Sequence, residues 1–179
     1  MGRIKLYRMI SVLWIGLVLS ACSAAPRVAD YRQSGFRGEV AWENEGVQMV
    51  ALAEVSAPVA GSARTVTLTL TSPPALAGVV LMGSADSAAP VRVVCGEMTV
   101  ENAELGTLWE IMELLLPQGS FRSVCRTEEG LIYGEIVPTK EEENGDVRYG
   151  LYLEPNSGAP RRIVCGERKL ELVSFEVVG

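Results

Sequence analysis

The stretch RTVTLTLT, Arg64 to Thr71, sets Val66, Leu68 and Leu70 against four threonines in strict alternation. Period two belongs to an extended strand with one face on a core and the other toward water. Threonine, branched at Cβ, suits the wet side of such a pleat. The same period appears earlier, where Phe36, Gly38, Val40 and Trp42 alternate with Arg37, Glu39, Ala41 and Glu43. Asn44-Glu45-Gly46 then reads as a hairpin turn. Val47, Met49, Ala51, Ala53 and Val55 form the apolar face of the next strand, and a loop runs from Pro58 to Ala63. Pro73-Pro74 stops the threonine strand, because proline cannot donate to a ladder. A chain whose strands each carry one apolar face must bury those faces together.

The rest continues the pattern. Val79 to Met82 and Val91 to Cys95 are short strands around a small-residue loop, Ser84 to Ala89. Two hairpins follow, Phe121 to Arg126 with Leu131 to Val137, and Val147 to Leu153 with Arg161 to Cys165; Leu170 to Val178 closes the chain. One segment departs from period two. Leu105, Leu108, Trp109, Met112, Leu115 and Leu116 recur at spacings of three and four with Ile111 beside them, and Glu104, Glu110 and Glu113 take other faces. This predicts an amphipathic helix, ended by Pro117 and Gly119. About ten strands and one good helix, segregated along the chain, make the class α+β with an antiparallel sheet.

The first residues do not fit that domain. Residues 1–22 read MGRIKLYRMISVLWIGLVLSAC, with a positive head (Arg3, Lys5, Arg8), an apolar run from Met9 to Leu19, and small residues before Cys22. This is the three-part pattern of a secretory signal, and the run is shorter than the ~20 residues of a bilayer span. Leu19-Ser20-Ala21-Cys22 resembles the lipobox of bacterial lipoproteins. The resemblance implies that residues 1–21 are removed and that Cys22 carries diacylglycerol on its sulfur, often with a further fatty acyl (palmitate) chain on its amine. Each buried CH₂ contributes ~0.8 kcal/mol, so two or more chains anchor firmly. Ser23 stands where an aspartate often marks retention at the inner membrane. The expected location is therefore the outer membrane of a Gram-negative cell, or the outer face of the cell membrane of a Gram-positive one. Residues 23–34, SAAPRVADYRQS, are small, polar and aperiodic, and with Cys22 they suit a tether, with room for a short helix, to a domain spanning 35–179.

Charge and composition exclude more than they assign. The signal holds three of the 16 basic residues and none of the 22 acidic ones, so the mature chain carries −9. That argues against nucleic acid and against electrostatic membrane binding; the membrane is a partner through the lipid on Cys22. The chain has no histidine, which removes Ser-His-Asp and Cys-His catalysis and histidine-based zinc chemistry. No catalytic motif, metal site or cofactor is indicated. Cys95, Cys125 and Cys165 cannot all pair within one chain, leaving a disulfide or free thiols open. Two contexts repeat, Arg92-Val93-Val94-Cys95-Gly96-Glu97 and Arg162-Ile163-Val164-Cys165-Gly166-Glu167. Each reads as a strand ending in a Cys-Gly turn, its cysteine either one of a couple or a buried small hydrophobe. The run Glu141-Glu142-Glu143 with Asn144-Gly145-Asp146 reads as a solvated hairpin tip rather than a calcium loop, since adjacent carboxylates on an extended chain point to alternate sides.

A lipobox, an alternating hairpin with Phe36 and Trp42, a threonine strand running into Ser72-Pro73-Pro74-Ala75-Leu76-Ala77-Gly78, and the tract from Tyr149 to Ile163 together resemble the LolA/LolB-like (lipoprotein-sorting) superfamily. The last tract is similar to that family's strand, Asp-Pro-x-x-Gly-x-Pro, strand signature, with Glu154 where aspartate is usual; the family's long first helix is missing or very short. The resemblance implies a curved antiparallel sheet, an incomplete β-barrel, with a helix covering the concave face, and a non-catalytic role in binding an acyl chain or lipidated partner. Trp42, Met49, Leu68, Leu70, Met82, Trp109 and Met112 are the candidates for the enclosed ligand face, and they read equally as ordinary core. The chain is also similar to the germination lipoproteins of spore-forming clostridia, which implies instead a protein-interaction module for a cell-envelope enzyme.

Overall fold

The computed structural model describes residues 30–84, 90–102, 106–137 and 148–178, the side chains of 102 and 106–109 excepted. The signal, Cys22, and the acidic run at 141–146 lie outside the described residues. Twelve strands form one antiparallel sheet: β1 (Gly35–Asn44), β2 (Val47–Val55), β3 (Thr65–Ser72), β4 (Val80–Ser84), β5 (Val91–Cys95), β6 (Met98–Asn102), β7 (Ser120–Arg126), β8 (Ile132–Val137), β9 (Tyr149–Leu153), β10 (Pro160–Cys165), β11 (Arg168–Leu172) and β12 (Glu176–Val178). Their order is β6-β5-β4-β3-β2-β1-β11-β10-β9-β8-β7, with β12 pairing the start of β1. The sheet does not close, so β6 and β7 are outer strands, consistent with an open half-barrel. The single described α-helix, α1 (Gly106–Leu115), packs against β4, β10 and β11, so it touches both halves of the sheet. No helix among the described residues is long and apolar enough to cross a membrane.

Three departures from the expected elements have local causes. The expected strand from Leu170 to Val178 is two strands. β1 pairs β12 over Gly35–Arg37 and β11 over Val40–Trp42. Between them Ser174 crosses directly over Gly38, where an added Cβ would meet the Ser174 carbonyl oxygen at 2.2 Å. The crossing is pinned by Glu39, whose N–H donates to Ser174 Oγ at 2.9 Å and whose carbonyl accepts from Val173 N at 2.8 Å. β6 was not expected. It pairs β5 through a two-residue turn, Gly96-Glu97, with Cys95 opposite Met98. Gly96 has φ +58°, as the first central position of a type II′ turn requires. The repeated context makes the same turn at Gly166 (φ +61°), with Cys165 opposite Arg168. Finally, the tether assigned by sequence does contain a short helix, a 3₁₀ turn at Tyr31–Gln33 capped by the Asp30 side chain, but its Tyr31 is buried in the core.

The core is one cluster. It takes Val40 and Trp42 from β1, Ala51 and Ala53 from β2, Val66, Leu68 and Leu70 from β3, Leu81 from β4, and Ile132, Ile136, Leu151, Leu153, Ile163, Leu170 and Leu172 from the other half. Ile111, Met112, Leu114, Leu115 and Leu116 close it from the helix side. Tyr31, Phe36 and Phe175 form an aromatic corner, with ring centroids 5.7 and 5.1 Å apart across Phe36, at separations that favour edge and tilted contacts.

Candidate functional site

Five of the seven candidate ligand-face residues come together. Trp42, Met49, Leu68, Leu70 and Met112 are at most 7% exposed and belong to the same cluster. Trp42 lies opposite Met49, Ala51 opposite Leu70, and Ala53 opposite Leu68. The two alanines keep the middle of the face shallow. Met112 settles on Gly83, whose added Cβ would come within 2.8 Å of the Met112 sulfur. Met82 does not join them. It pairs with Thr67 on the threonine face and is half-buried, while Leu81, one residue earlier, takes the core position opposite Leu68. Trp109 lies in α1, but its side chain is outside the described ones.

Polar ties fasten the helix to the sheet. Tyr149 Oη donates to Glu113 Oε1 at 2.5 Å, and Arg168 Nη1 lies 3.4 Å from Glu110 Oε2. Burial, with the Glu113 carboxylate beside it, raises the pKa of the Tyr149 hydroxyl above its ordinary value. At the helix C-terminus, where carbonyls lack intrahelical donors, Tyr31 Oη donates to Leu115 O at 3.0 Å. Arg32 Nη1 donates to Pro117 O at 2.7 Å and Gly119 O at 3.0 Å, held in place by two bonds to Asp30. A cation there also suits the negative end of the helix dipole. Arg64 in turn donates to the carbonyls of Arg32, Ser34 and Ser56, which locks the entering chain to β3.

The apolar face runs past the helix to solvent. Leu68, Leu81, Val93 and Val100 are successive partners across β3, β4, β5 and β6. Exposure along that row climbs from 0% and 2% through half-buried Val93 to 55% at Val100, beside Met98 at 68%.

The cysteines divide. All three are free; Cys165 is buried, as a small core hydrophobe would be, and Cys95 and Cys125 are exposed, which corrects the reading of Cys95 as the buried twin of Cys165. Among the described residues no group of three or more potential ligands is placed to hold a metal ion. The late tract is a built turn. Glu154 accepts from Ser157 Oγ at 2.9 Å and from Arg161 Nε at 2.7 Å, with Gly158 at φ +70°. Those two bonds hold its carboxyl below the usual glutamate range.

No protein-family model and no curated protein matches the chain. Solved structures with a similar fold include a conserved protein of Thermus thermophilus (TM-score 0.49, 16% identity, covering 83% of this chain and 82% of that one). They include MucB (TM-score 0.47, 15% identity, 83% of this chain), of which the chain spans about half, 55%; MucB is also known in complex with MucA, from Pseudomonas aeruginosa. A domain assigned as an outer membrane lipoprotein-sorting protein of Vibrio parahaemolyticus is similar too (TM-score 0.43, 9% identity, 82% of this chain and 86% of that one). Similarity at these levels is one of fold.

Proposed function

We propose that the chain is an exported lipoprotein, cut before Cys22 and anchored outside the cytoplasm by lipid on that cysteine, whose domain is a non-catalytic binding module with α1 as a lid on the concave side. The ligand is a long acyl chain or the acyl part of a lipidated partner. The observation that carries this reading is the apolar row Leu68–Leu81–Val93–Val100, which connects the packed face with an open edge.

Magnitudes restrict the ligand. Ile111, Met112, Leu114, Leu115 and Leu116 hold α1 down with roughly 1.5–3 kcal/mol of burial each, about 8–15 kcal/mol together. A chain of about sixteen carbons recovers up to ~12 kcal/mol at ~0.8 kcal/mol per CH₂, whereas a short one cannot compete with the helix. The lid therefore selects for length. The absence of histidine from all 179 residues supports a binding role over catalysis.

A second reading, a protein-interaction module, is favoured by one observation of its own. β6 is an outer strand with Met98 and Val100 exposed, and such an edge can accept a partner's strand. Native mass spectrometry of residues 23–179, purified gently from the source cell, tests both. A lipid released on unfolding supports the acyl reading. A clean mass with a dimer or a bound protein moves the assignment to the interaction module.

A further inference from the structure

The two outer strands of the sheet are guarded unequally. β7 carries a bulge between Ser123 and Cys125 and two cations, Arg122 and Arg126, devices that discourage the addition of a strand. β6 has no bulge, no proline and no basic residue, and its one charge, Glu101, is already paired with Arg92 of β5. No described strand lies on its other side. In a two-residue hairpin the turn is closed by a hydrogen-bonded pair, here Cys95 and Met98, and bonded and non-bonded pairs alternate from there. Met98 and Val100 therefore direct their backbone groups to β5, and Thr99 and Glu101 direct theirs outward. The side chains of Met98 and Val100 stand exposed.

A second β6, added antiparallel about a two-fold axis, can meet those outward groups in three registers. An axis at Thr99 sets Glu97 against Glu101 of the second copy. An axis at Glu101 sets that carboxylate against itself. Both oppose like charges, which destabilises a cross-strand pair. An axis at Val100 sets Thr99 against Glu101 twice over and brings no like charges together. Thr99 and Glu101 then exchange their free N–H and C=O groups with the second copy. Val100 meets Val100 at the non-hydrogen-bonded position, where side chains approach most closely. The strand is complementary to itself in one register.

We propose that β6 pairs with β6 of a second copy of this chain, centred on Val100, so that the apolar row Leu68–Leu81–Val93–Val100 meets its own image and two sheets become one. The proposal rests on the edge that the interaction reading uses, and it names the occupant.

The test is a cysteine crosslink in the full chain in neutral detergent, carrying Cys22→Ser, Cys95→Ser and Cys125→Ser, so that buried Cys165 is the one native thiol left. In this background Val100→Cys should form a disulfide-linked dimer under mild oxidation, because directly opposed Cβ atoms lie about 4.5–5.5 Å apart, close to disulfide reach. Thr99→Cys should link roughly tenfold more slowly or less, because its own copy is a diagonal neighbour at about 7–8 Å. Both variants keep the apolar run of residues 9–19, so association through it affects them equally. Adding Thr99→Glu to Val100→Cys opposes like charges at Glu101 and should slow the linkage, and adding Thr99→Lys should not. A Val100→Cys chain that stays monomeric overturns the proposal, as does linkage of Thr99→Cys at the same rate. Either result removes the second copy as occupant, and the interaction reading is then decided separately, by whether the native mass spectrum contains a different bound protein.

Discussion

The hydroxyl of Tyr149 on β9 donates to the carboxylate of Glu113 on α1 across 2.5 Å, joining sheet and helix between residues 36 apart in sequence. A hydrogen bond to a charged group contributes about 1.5–3 kcal/mol, reduced here because the Glu113 side chain is only partly covered. Tyr149→Phe should lower stability by about 1–2 kcal/mol. If α1 is the lid, helix amides should exchange faster than those of β1 and β2 in the variant. Equal acceleration throughout would mean that the bond supports the whole domain and does not gate the helix.

Gly38→Ala places a methyl 2.2 Å from the Ser174 carbonyl oxygen, a backbone atom that cannot swing away. Overpacking of this kind costs about 1–3 kcal/mol. Thermal unfolding should show the loss, and the exchange of β12 amides should show that it is centred on the β11–β12 crossing. A variant as stable as the parent would disprove the account of why the last strand divides.

Val100→Lys changes a side chain that is 55% exposed. Stability should stay within about 0.5 kcal/mol, while lipid recovered with the protein falls, since a charge then sits at the open end of the apolar row. Undiminished lipid in this variant would remove the β6 edge from the acyl reading.

Glu154 is held below the ordinary glutamate value of 4.5 by Ser157 and Arg161. A carboxyl depressed by folding adds stability above its unfolded pKa, and that stability is lost as pH falls from about 4.5 through the lower folded value. Glu154→Gln should therefore be less stable than the parent at neutral pH, the gap closing under acid. The difference is small, because the pair is exposed to solvent and screened. Urea midpoints measured across that window check the sign; a gap that widens under acid would refute it.

Cys22→Ser should leave the chain exported but without lipid, recovered from the soluble envelope fraction instead of the membrane. Retention in the membrane at full level would mean that the apolar run, and not the lipid, holds it there.

Alternation made Leu68 and Leu70 legible, because threonine on the other side fixes which face is wet. It could not do so for Val79 to Met82, where every residue is apolar and parity is free; Leu81 faces the core and Met82 does not. The strand after Cys95 was there to be read. Met98 and Val100 alternate with Thr99 and Glu101, and the twin Cys-Gly-Glu context at 165–167 leads into a strand in the same way. Tyr31 looked like tether because nothing local marks it; its hydroxyl bonds a carbonyl 84 residues away.

With lipid on Cys22, the 3₁₀ turn at Tyr31–Gln33 would also be a load path. Asp30 lies eight positions after Cys22, a reach of at most about 28 Å when fully extended. A chain anchored at Cys22 would hold its domain that close to the bilayer, leashed by the segment whose Tyr31 bonds the last carbonyl of α1 and whose Arg32 bonds that of Pro117, two residues beyond. Any pull between membrane and domain, from a partner drawing it away or from the envelope shifting beneath it, would arrive first at the end of the helix. The leash would then do more than keep the protein in place: its tautness would set how readily the lid lifts.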